Sequence, residues 1–360
     1  MISLIICSKY PETAAALAKN IQETIGVDYE IIHIDNSCRQ YGICEAYNIG
    51  VERAKGDYLC FMHEDLIFHS YNWGASVEYY LGNGATDMLG IAGSFYVPAH
   101  YDWRFGKLGY VNLIQGLHTF GEHPVYYNKG IRWNVTAPLK RVAIVDGCWF
   151  CIKKEYFLDG KLKFDSETFN DFHLYDSDIS MQANMAGLTI SVSSDIIIEH
   201  TSEGYYTNAF KEGNADFINK WKDHLPYAVK QLSKRDEVIT DEEAEKLLTE
   251  RLERDRRIAR INAYFEALRK HETPAPLSDK CKRLIEKSLF NYAKTMIKYS
   301  RSSGDAKRAV AIYFASKYGS RSRKLRRKLV YYRYVTFWSN RKQLKKVAIS
   351  DIYHTKPARY

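Results

Sequence analysis

Apolar and polar residues alternate in a repeating order along the N-terminal part of the chain, and this order predicts a sheet of parallel strands. Apolar runs at Ile2–Cys7, Tyr29–Ile34 and Tyr58–Met62 are typical of buried strands. Between them, Pro11–Ile25 and Tyr41–Lys55 carry apolar residues at the spacing of amphipathic helices. Strands that alternate with helices through short connections form parallel βαβ units. The sequence therefore predicts an α/β fold with a mostly parallel sheet flanked by helices.

The middle of the chain continues this mixture of elements before the pattern becomes helical. It predicts further helices at Asn72–Leu81 and Tyr175–Ala186 and further strands at Met88–Tyr96, Val142–Ile152, Thr189–Ser193 and Ile196–Ile198. Residues 100–139 are aromatic and show no clear period, which predicts loops and short strands that line a sugar or base pocket. Residues 241–271 and 284–338 are charged and predicted to be helical.

The distribution of charge divides the chain into two parts. The net charge is +9, yet the segment Lys280–Lys346 holds 21 lysine and arginine residues against two acidic ones. That segment carries +19, which leaves −10 on the rest of the chain. Because the apolar pattern also changes near residue 225, we predict an α/β domain over residues 1–225 and a helical, basic C-terminal region over residues 226–360.

Polar side chains follow each of the three N-terminal strands. Ser8 follows the first strand, Asp35 the second, and the triplet His63–Glu64–Asp65 the third. A polar triplet between two apolar runs costs stability if it is simply buried. Parallel sheets bind ligands beyond the carboxyl ends of their strands, so we expect these side chains to share one cleft.

The cysteines and the apolar runs favour a reduced, cytoplasmic protein. Seven cysteines are scattered along the chain, mostly in apolar strands, which suits reduced thiols better than a disulfide framework. Cys148 and Cys151 form a CxxC without a second pair nearby, which disfavours zinc binding or redox chemistry there. No apolar run reaches the roughly 18 residues of a membrane span, and the N-terminus lacks the pattern of a signal peptide.

Five motifs in a fixed order carry a family resemblance. They are IIHIDNS at residues 31–37, a helix with Asn48 and Gly50, AKGDYLCFMHED at 54–65, DGCWF at 146–150 and YDSD at 175–178, followed by a late histidine. Their order and spacing resemble the nucleotide-sugar glycosyltransferases of family 2, and in particular a bacterial branch with HED in place of DxD. The resemblance covers about residues 1–225 and implies a GT-A type of fold.

The resemblance implies a divalent cation, Mn²⁺ or Mg²⁺, that offsets the charge of a departing nucleoside diphosphate. These ions prefer oxygen ligands and accept an imidazole. Asp65 corresponds to the last residue of DxD and His200 to a second metal ligand. His63 stands where a carboxylate is usual, so it is assigned to ribose or phosphate instead, and Glu64 to ribose or the waters of the metal. The alternatives are a solvated acidic turn and a surface histidine.

The resemblance also places the nucleoside. Asp35 corresponds to the residue that pairs with the edge of the base, and a carboxylate that accepts from a ring N–H suits uracil, so a UDP-sugar is the predicted donor. Ser8 is assigned to the base or the ribose. The alternative for Asp35 is a turn closed by its own side chain, because Asp-Asn-Ser favours turns.

The stretch YDSD corresponds to the family's catalytic acids. Asp176 is assigned as the base that takes the proton of the acceptor hydroxyl in an inverting transfer, and Asp178 as a supporting acid. The alternative for Asp176 is a helix N-cap, a position that aspartate favours. Asp146 is assigned to placing the donor sugar or the acceptor. Trp149 either lies under a sugar ring or belongs to the core.

These assignments predict a metal-dependent, inverting glycosyltransferase that moves a sugar from a nucleotide-sugar donor to a hydroxyl of a surface glycan or lipid-linked glycan. One alternative is a sugar-nucleotide nucleotidyltransferase, which usually has a glycine-rich loop where this chain has Ser8–Pro11. Another is a catalytically degenerate protein that only binds glycan or membrane.

The basic segment Lys280–Lys346 predicts a partner of its own. Its interleaved Tyr and Trp residues fit an anionic membrane surface, which predicts a peripheral position on the inner membrane face. The alternative is a helical appendage with a solvated charged face. Nucleic acid is disfavoured, because it would leave HED and YDSD without a function.

Overall fold

A computed structural model describes residues 1–115, 131–133, 137–201 and 206–285 of the chain. They belong to two compact units, which consist of Met1–Ile114 with Ile131–Leu252 and of Gln115–Gly130 with Glu253–Tyr360. The predicted basic segment Lys280–Lys346 lies outside the described residues, apart from residues 280–285. The predicted boundary at residue 225 stays a prediction.

Strands are short and numerous in the first unit. They are β1 (Ile2–Ser8), β2 (Tyr29–Asp35), β3 (Tyr58–Met62), β4 (Leu66–Phe68), β5 (Met88–Gly90), β6 (Ala92–Ser94), β7 (Tyr96–Val97), β8 (Gly109–Gln115), β9 (Ile131–Trp133), β10 (Leu139–Val142), β11 (Ile144–Val145), β12 (Trp149–Lys153), β13 (Ile190–Ser193), β14 (Ile198–His200) and β15 (Tyr227–Ala228). The helices are α1 (Pro11–Thr24), α2 (Ile43–Arg53), α3 (Trp73–Gly82), α4 (Glu155–Leu158), α5 (Tyr175–Met185), α6 (Asn208–Trp221) and α7 (Asp241–Arg269), with a 3₁₀ turn at Trp103–Phe105.

The main sheet has seven strands in the order β10-β13-β5-β12-β3-β1-β2. Strand β1 is parallel to both β2 and β3, and β5 is parallel to β13, while β12 and β10 run in the opposite direction. Five strands therefore share one direction, which confirms the predicted mostly parallel sheet. Because β12 is antiparallel to β3, Trp149 at its start lies opposite Met62 at the end of β3. The loop before β12 thus reaches the rim where the parallel strands end.

A second sheet of six strands has the order β11-β6-β8-β14-β4, and β9 pairs with β8. Strand β14 pairs antiparallel with β4, which sets His200 opposite Leu66. His200 is consequently a neighbour of the triplet that precedes β4, although 134 positions separate it from Leu66 along the chain. The prediction set His200 just after a strand, and the structure makes it the last residue of β14.

Two apolar layers cover the two faces of the main sheet. Ile5 points into one layer, whereas Leu4 and Ile6 point into the other, as side chains of a strand alternate between faces. Helix α2 packs on the Ile5 face, and α1 packs on the opposite one. At Gly50 the contact is so close that an added Cβ would lie 2.3 Å from Cγ2 of Ile5. The helices on both sides agree with the predicted α/β class.

Two predicted strands are broken in the structure. The stretch Met88–Tyr96 divides into β5, β6 and β7, which belong to three different sheets. The stretch Val142–Ile152 likewise divides into three strands, and residues 146–148 form a turn at the rim. An apolar run indicates burial on all sides, but it does not show where the chain crosses from one sheet to another.

The prediction of reduced cysteines is corrected at one pair. Cys60 of β3 and Cys151 of β12 lie opposite each other in the strand register and are joined by a disulfide. The two residues are 91 positions apart, so nothing in their local spacing points to the pair. Cys148 is buried with a free thiol, and the CxxC therefore does not act as a pair.

An ion-pair cluster joins α5 to α6 and to the loop before α5. Nζ of Lys220 lies 2.7 Å from Oδ2 of Asp165 and 2.8 Å from Oδ1 of Asp178. The same Oδ1 accepts a hydrogen bond from Nε1 of Trp221, and Oδ2 of Asp178 accepts one from Gln182. Burial raises the pKa of Asp178, and the lysine and these hydrogen bonds oppose that rise.

The first prediction concerns Lys220. Lys220→Met leaves the buried carboxylate of Asp178 without its cation, and removing one partner of such a pair costs about 3 kcal/mol of unfolding free energy. Urea unfolding followed by circular dichroism measures this loss. Lys222→Met, in an exposed lysine just past the helix, is the matched control and is expected to change stability by less than about 0.5 kcal/mol. Equal stability of the two variants would contradict the role of the cluster.

Candidate functional site

The residues that sequence analysis assigned to a ligand meet mostly at one rim of the main sheet. Ser8 and Asp35 end the neighbouring strands β1 and β2, and residues 63–65 directly follow β3. The turn at 146–148 and the start of α5 reach the same rim, because Gly147 accepts a hydrogen bond from the hydroxyl of Tyr175. The structure therefore joins groups that lie far apart in the sequence.

Three side chains at this rim form a candidate metal centre. Nδ1 of His63 lies 3.2 Å from Nε2 of His200, and that nitrogen lies 3.3 Å from Oδ1 of Asp65. One ligand atom from each residue falls within 4.8 Å of the other two. Ligands about 2.1 Å from a six-coordinate cation are about 3 Å apart when adjacent, so the three atoms fit one Mn²⁺ or Mg²⁺ ion.

Hydrogen bonds fix the proton of His63 on the far side of its ring. The hydroxyl of Tyr175 donates to the carbonyl of Gly147 and lies 2.9 Å from Nε2 of His63. A hydroxyl has one proton to give, so Nε2 must carry the proton of this second bond. Nδ1 then keeps a bare lone pair that points towards His200. Metal-ligating histidines commonly donate their other ring N–H in this way.

The electrostatics of the centre agree with that tautomer. Burial lowers the pKa of His63, and the neighbouring His200 lowers it further, which outweighs the opposing effect of Asp65. His63 therefore stays neutral at neutral pH, and the neutral imidazole is the form that binds metal. The structure thus places His63 with the two predicted metal ligands, whereas sequence analysis assigned it to ribose or phosphate.

Glu64 and Ser8 contact each other at the end of β1. The Glu64 carboxylate accepts from the Ser8 hydroxyl at 2.6 Å and from the backbone N–H groups of Lys9 at 3.2 Å and Tyr10 at 2.9 Å. Helix α1 begins at Pro11 without a side-chain cap of its own. Glu64 thus holds the turn before α1, and it is this turn, not the metal centre, that its carboxylate faces.

Asp35 and Trp149 occupy contrasting positions. Asp35 is exposed at the end of β2, and its carboxylate accepts from the N–H of Ser37 at 2.9 Å, as in the turn that was the alternative. Trp149 is fully buried, and its ring makes edge contacts with Trp73 and Phe68 in the core. Of the two alternatives for Trp149, the structure therefore agrees with the core position and not with a place under a sugar ring, because β12 turns this side chain into the apolar layer.

Asp176 lies in the first turn of α5 with its carboxylate enclosed by donors. Oδ2 accepts from Arg104 and from the N–H of Gly147 at 2.8 Å. Oδ1 accepts from the N–H of Ser177 at 2.8 Å and, more weakly, from the Ser177 hydroxyl at 3.4 Å. The helix N-cap is Leu174 and has no side-chain cap bond, so the structure does not use Asp176 as an N-cap. Asp178, predicted as a supporting acid, faces α6 through Lys220.

Arg104 is the site residue that sequence analysis missed. It lies in the 3₁₀ turn and donates to Asp102, Asp146 and Asp176. Burial raises the pKa of Asp146, but Arg104 and the N–H of Cys148 outweigh this effect and hold that pKa below its usual value. The signal that could have found Arg104 is electrostatic, since predicted acids at one rim require a nearby cation.

Comparison with known proteins shows the family to which the chain belongs. A model of the "Glycosyltransferase like family" matches residues 1–217, and the chain belongs to this family. A search of curated proteins finds no match.

Among solved structures, the chain is similar to GalNAc-T7 with UDP, GalNAc and Mn²⁺, with 13% identity and a TM-score of 0.39. This match covers 80% of the present chain and 55% of that one, so the chain spans about half the length of the GalNAc-T7 chain. It is also similar to S. aureus TarS 1–349, with 11% identity and a TM-score of 0.40, and this match covers 95% of the present chain and 91% of that one.

The second prediction concerns the candidate metal centre. His63→Gln and Asp65→Asn each remove one of three converging ligands, so Mn²⁺ affinity in the presence of UDP is expected to fall at least about tenfold. Titration calorimetry and the electron paramagnetic resonance signal of free Mn²⁺ measure the change. His224→Gln, in an exposed histidine, serves as the matched control. Unaltered Mn²⁺ binding in both variants would remove these residues from a metal site.

Proposed function

We propose that this member of the glycosyltransferase family is a metal-dependent, inverting enzyme that transfers a sugar from a UDP-linked donor to a hydroxyl of a surface glycan or lipid-linked glycan. One observation carries the proposal. His63, Asp65 and His200 converge at the same rim as Asp176, with Tyr175 and Gly147 joining the two groups by hydrogen bonds. The proposed site for an anionic leaving group therefore lies beside the carboxylate that is the proposed base.

The ends of β1 and β2 are the proposed place of the nucleoside. Glu64 orders the turn at residues 8–10, and Asp35 offers an exposed carboxylate at the next strand end. A divalent ion bound by His63, Asp65 and His200 would neutralise the diphosphate as it leaves. These roles follow the position of ligands beyond the carboxyl ends of parallel strands.

The transfer itself requires a base and no enzyme nucleophile. The acceptor oxygen forms a bond to the anomeric carbon while the bond from that carbon to the diphosphate oxygen breaks, which inverts the configuration. The proton of the acceptor hydroxyl passes to Asp176, and UDP leaves with the bonding electrons. The weak Ser177 hydroxyl contact at 3.4 Å leaves Oδ1 room for a further hydrogen bond. Only 3% of the Asp176 side chain is exposed, so the acceptor approaches after local movement at the rim.

The two alternative functions differ from this proposal in measurable ways. Membership of a glycosyltransferase family favours sugar transfer over nucleotidyl transfer. A degenerate protein that only binds glycan or membrane would release no nucleotide. UDP release from a panel of UDP-sugars, with and without Mn²⁺, separates these functions, and the proposal expects Mn²⁺-dependent release from at least one donor.

The third prediction tests the base. Asp176→Asn keeps the size of the side chain but removes its ability to accept a proton, so turnover is expected to fall roughly 10²–10⁴-fold. The affinity for UDP with Mn²⁺ should stay within about threefold of that of the unchanged protein. The substitution leaves the ends of β1 and β2 and the candidate metal ligands, which form the proposed nucleotide site, unchanged. Asp216→Asn, in an exposed aspartate of α6, is the control. A variant with full turnover would take Asp176 out of the mechanism.

The proposal extends to the partner of the basic segment. Residues 1–279 and 347–360 are net acidic and would be repelled by an anionic membrane, so attachment must come from the +19 of Lys280–Lys346. Each Lys or Arg near such a surface contributes about 1 kcal/mol. Lipid-linked acceptors lie at the membrane, and attachment would raise their local concentration. Among the described residues, no helix is both long and apolar enough to cross a bilayer.

The fourth prediction tests this attachment with the full chain. Liposomes that contain phosphatidylglycerol should sediment the protein at low salt and release it at high salt, because exposed charges are screened beyond about 8 Å at physiological ionic strength. Phosphatidylcholine liposomes are the neutral control. Equal binding to both kinds of liposome, or no binding to either, would contradict attachment to an anionic membrane. The basic segment would then bind a different partner.

A further inference from the structure

Arg104 is the centre of a charge cluster that connects three separate parts of the site. Nη1 donates to Oδ2 of Asp102 at 2.9 Å, Nε lies 3.4 Å from Oδ2 of Asp146, and Nη2 donates to Oδ2 of Asp176. These acids belong to the 3₁₀ turn, to the turn before β12 and to the start of α5. One guanidinium therefore fixes the distance between Asp146 and Asp176.

Asp102 fixes Arg104 in turn. Oδ1 of Asp102 accepts from the backbone N–H of Arg104 at 2.8 Å, and Oδ2 accepts from its guanidinium. The Asp102 side chain is 1% exposed, and the guanidinium lies 5.2 Å from the ring of Trp103. With both the backbone and the guanidinium of Arg104 held by one buried carboxylate, the plane of the fork has little freedom to rotate.

We infer that Arg104 is a positioning residue for the transfer reaction, which sets the Asp176 carboxylate against the turn at residues 146–148 and thereby aims it at the acceptor hydroxyl. This inference rests on the proposed function. Arg104 itself contacts neither the metal ligands nor the ends of β1 and β2 in the described residues. Its effect therefore falls on turnover and not on the binding of the nucleotide.

The geometry distinguishes positioning from simple neutralisation of charge. Neutralisation requires only a cation among three acids, and the ammonium of lysine would supply one. Positioning requires a planar fork whose three donor nitrogens reach three carboxylates at fixed directions, which lysine cannot reproduce. A displacement of about 1 Å at a reacting group costs up to about 10²-fold in rate. The two roles thus predict different results for one conservative substitution.

The fifth prediction uses Arg104→Lys in the full chain, with the UDP-sugar hydrolysed fastest by the unchanged protein as the probe. Water serves as the acceptor, so release of UDP reports proton transfer to Asp176. We expect kcat to fall between about 10- and 10²-fold, with KM for the donor and the calorimetric affinity for UDP and Mn²⁺ within about threefold. Arg53→Lys, in an exposed arginine at the end of α2, is the matched control.

A second variant adds a measurement whose result would not change if Arg104 only stabilised the fold. Arg104→Ala opens a space for a small cation, and added guanidinium at millimolar concentration should restore part of its kcat, whereas ammonium should not. Added guanidinium should not change the kcat of Arg104→Lys, because the ammonium group of the new lysine already fills the space. If Arg104→Ala does not fold, the kcat and KM of Arg104→Lys alone test the inference.

Three outcomes would overturn the inference, and they separate it from the proposed function. Full turnover of Arg104→Lys would show that Arg104 only neutralises charge. A parallel loss of UDP affinity would place Arg104 in donor binding. Absence of hydrolysis of every UDP-sugar by the unchanged protein would overturn the proposed function, and the positioning role with it.

Discussion

The burial of acidic groups at the rim of the sheet is the constraint on which the site depends. Asp102 and Asp176 are almost inaccessible to solvent, and a buried carboxylate is tolerated only with a countercharge or several hydrogen bonds. Arg104 supplies the countercharge on one side of the rim. On the other side, Asp65 lies against two imidazoles, of which His63 is held neutral. His63, Asp65 and His200 together are a candidate site for a divalent cation.

The fold meets this constraint by the order and direction of its strands. The antiparallel strand β12 between β3 and β5 brings its preceding turn to the end at which β3 finishes. That turn contributes Asp146 as a partner for Arg104, the N–H of Gly147 for Asp176 and the carbonyl of Gly147 for Tyr175. Through these hydrogen bonds, the turn connects the acidic cluster around Arg104 with Tyr175, which in turn contacts the ring of His63. The two halves of the site therefore depend on one backbone segment.

Two of the polar triplet's side chains belong to the candidate metal centre, and the third accepts hydrogen bonds from the turn before α1. His63 and Asp65 face His200, while Glu64 points to the other side and accepts three hydrogen bonds from residues 8–10. The triplet lies between β3 and β4, where the chain bends at Glu64 and Asp65. The triplet HED therefore contributes both to the turn at the end of β1 and to the candidate metal centre.

The sequence by itself determined the βαβ pattern, the polar groups at the strand ends and the family, because each of these is carried by local periodicity or by short motifs. Tertiary structure alone decided which distant groups meet. His63 and His200 are 137 positions apart, Arg104 and Asp176 are 72 apart, and their contacts follow from the pairing of β4 with β14 and from the packing of α5. The same holds for Cys60 with Cys151, and for Trp149, whose face is set by the register of β12. Local patterns record burial and spacing, whereas strand order and register are global properties that arise only when all the elements pack together.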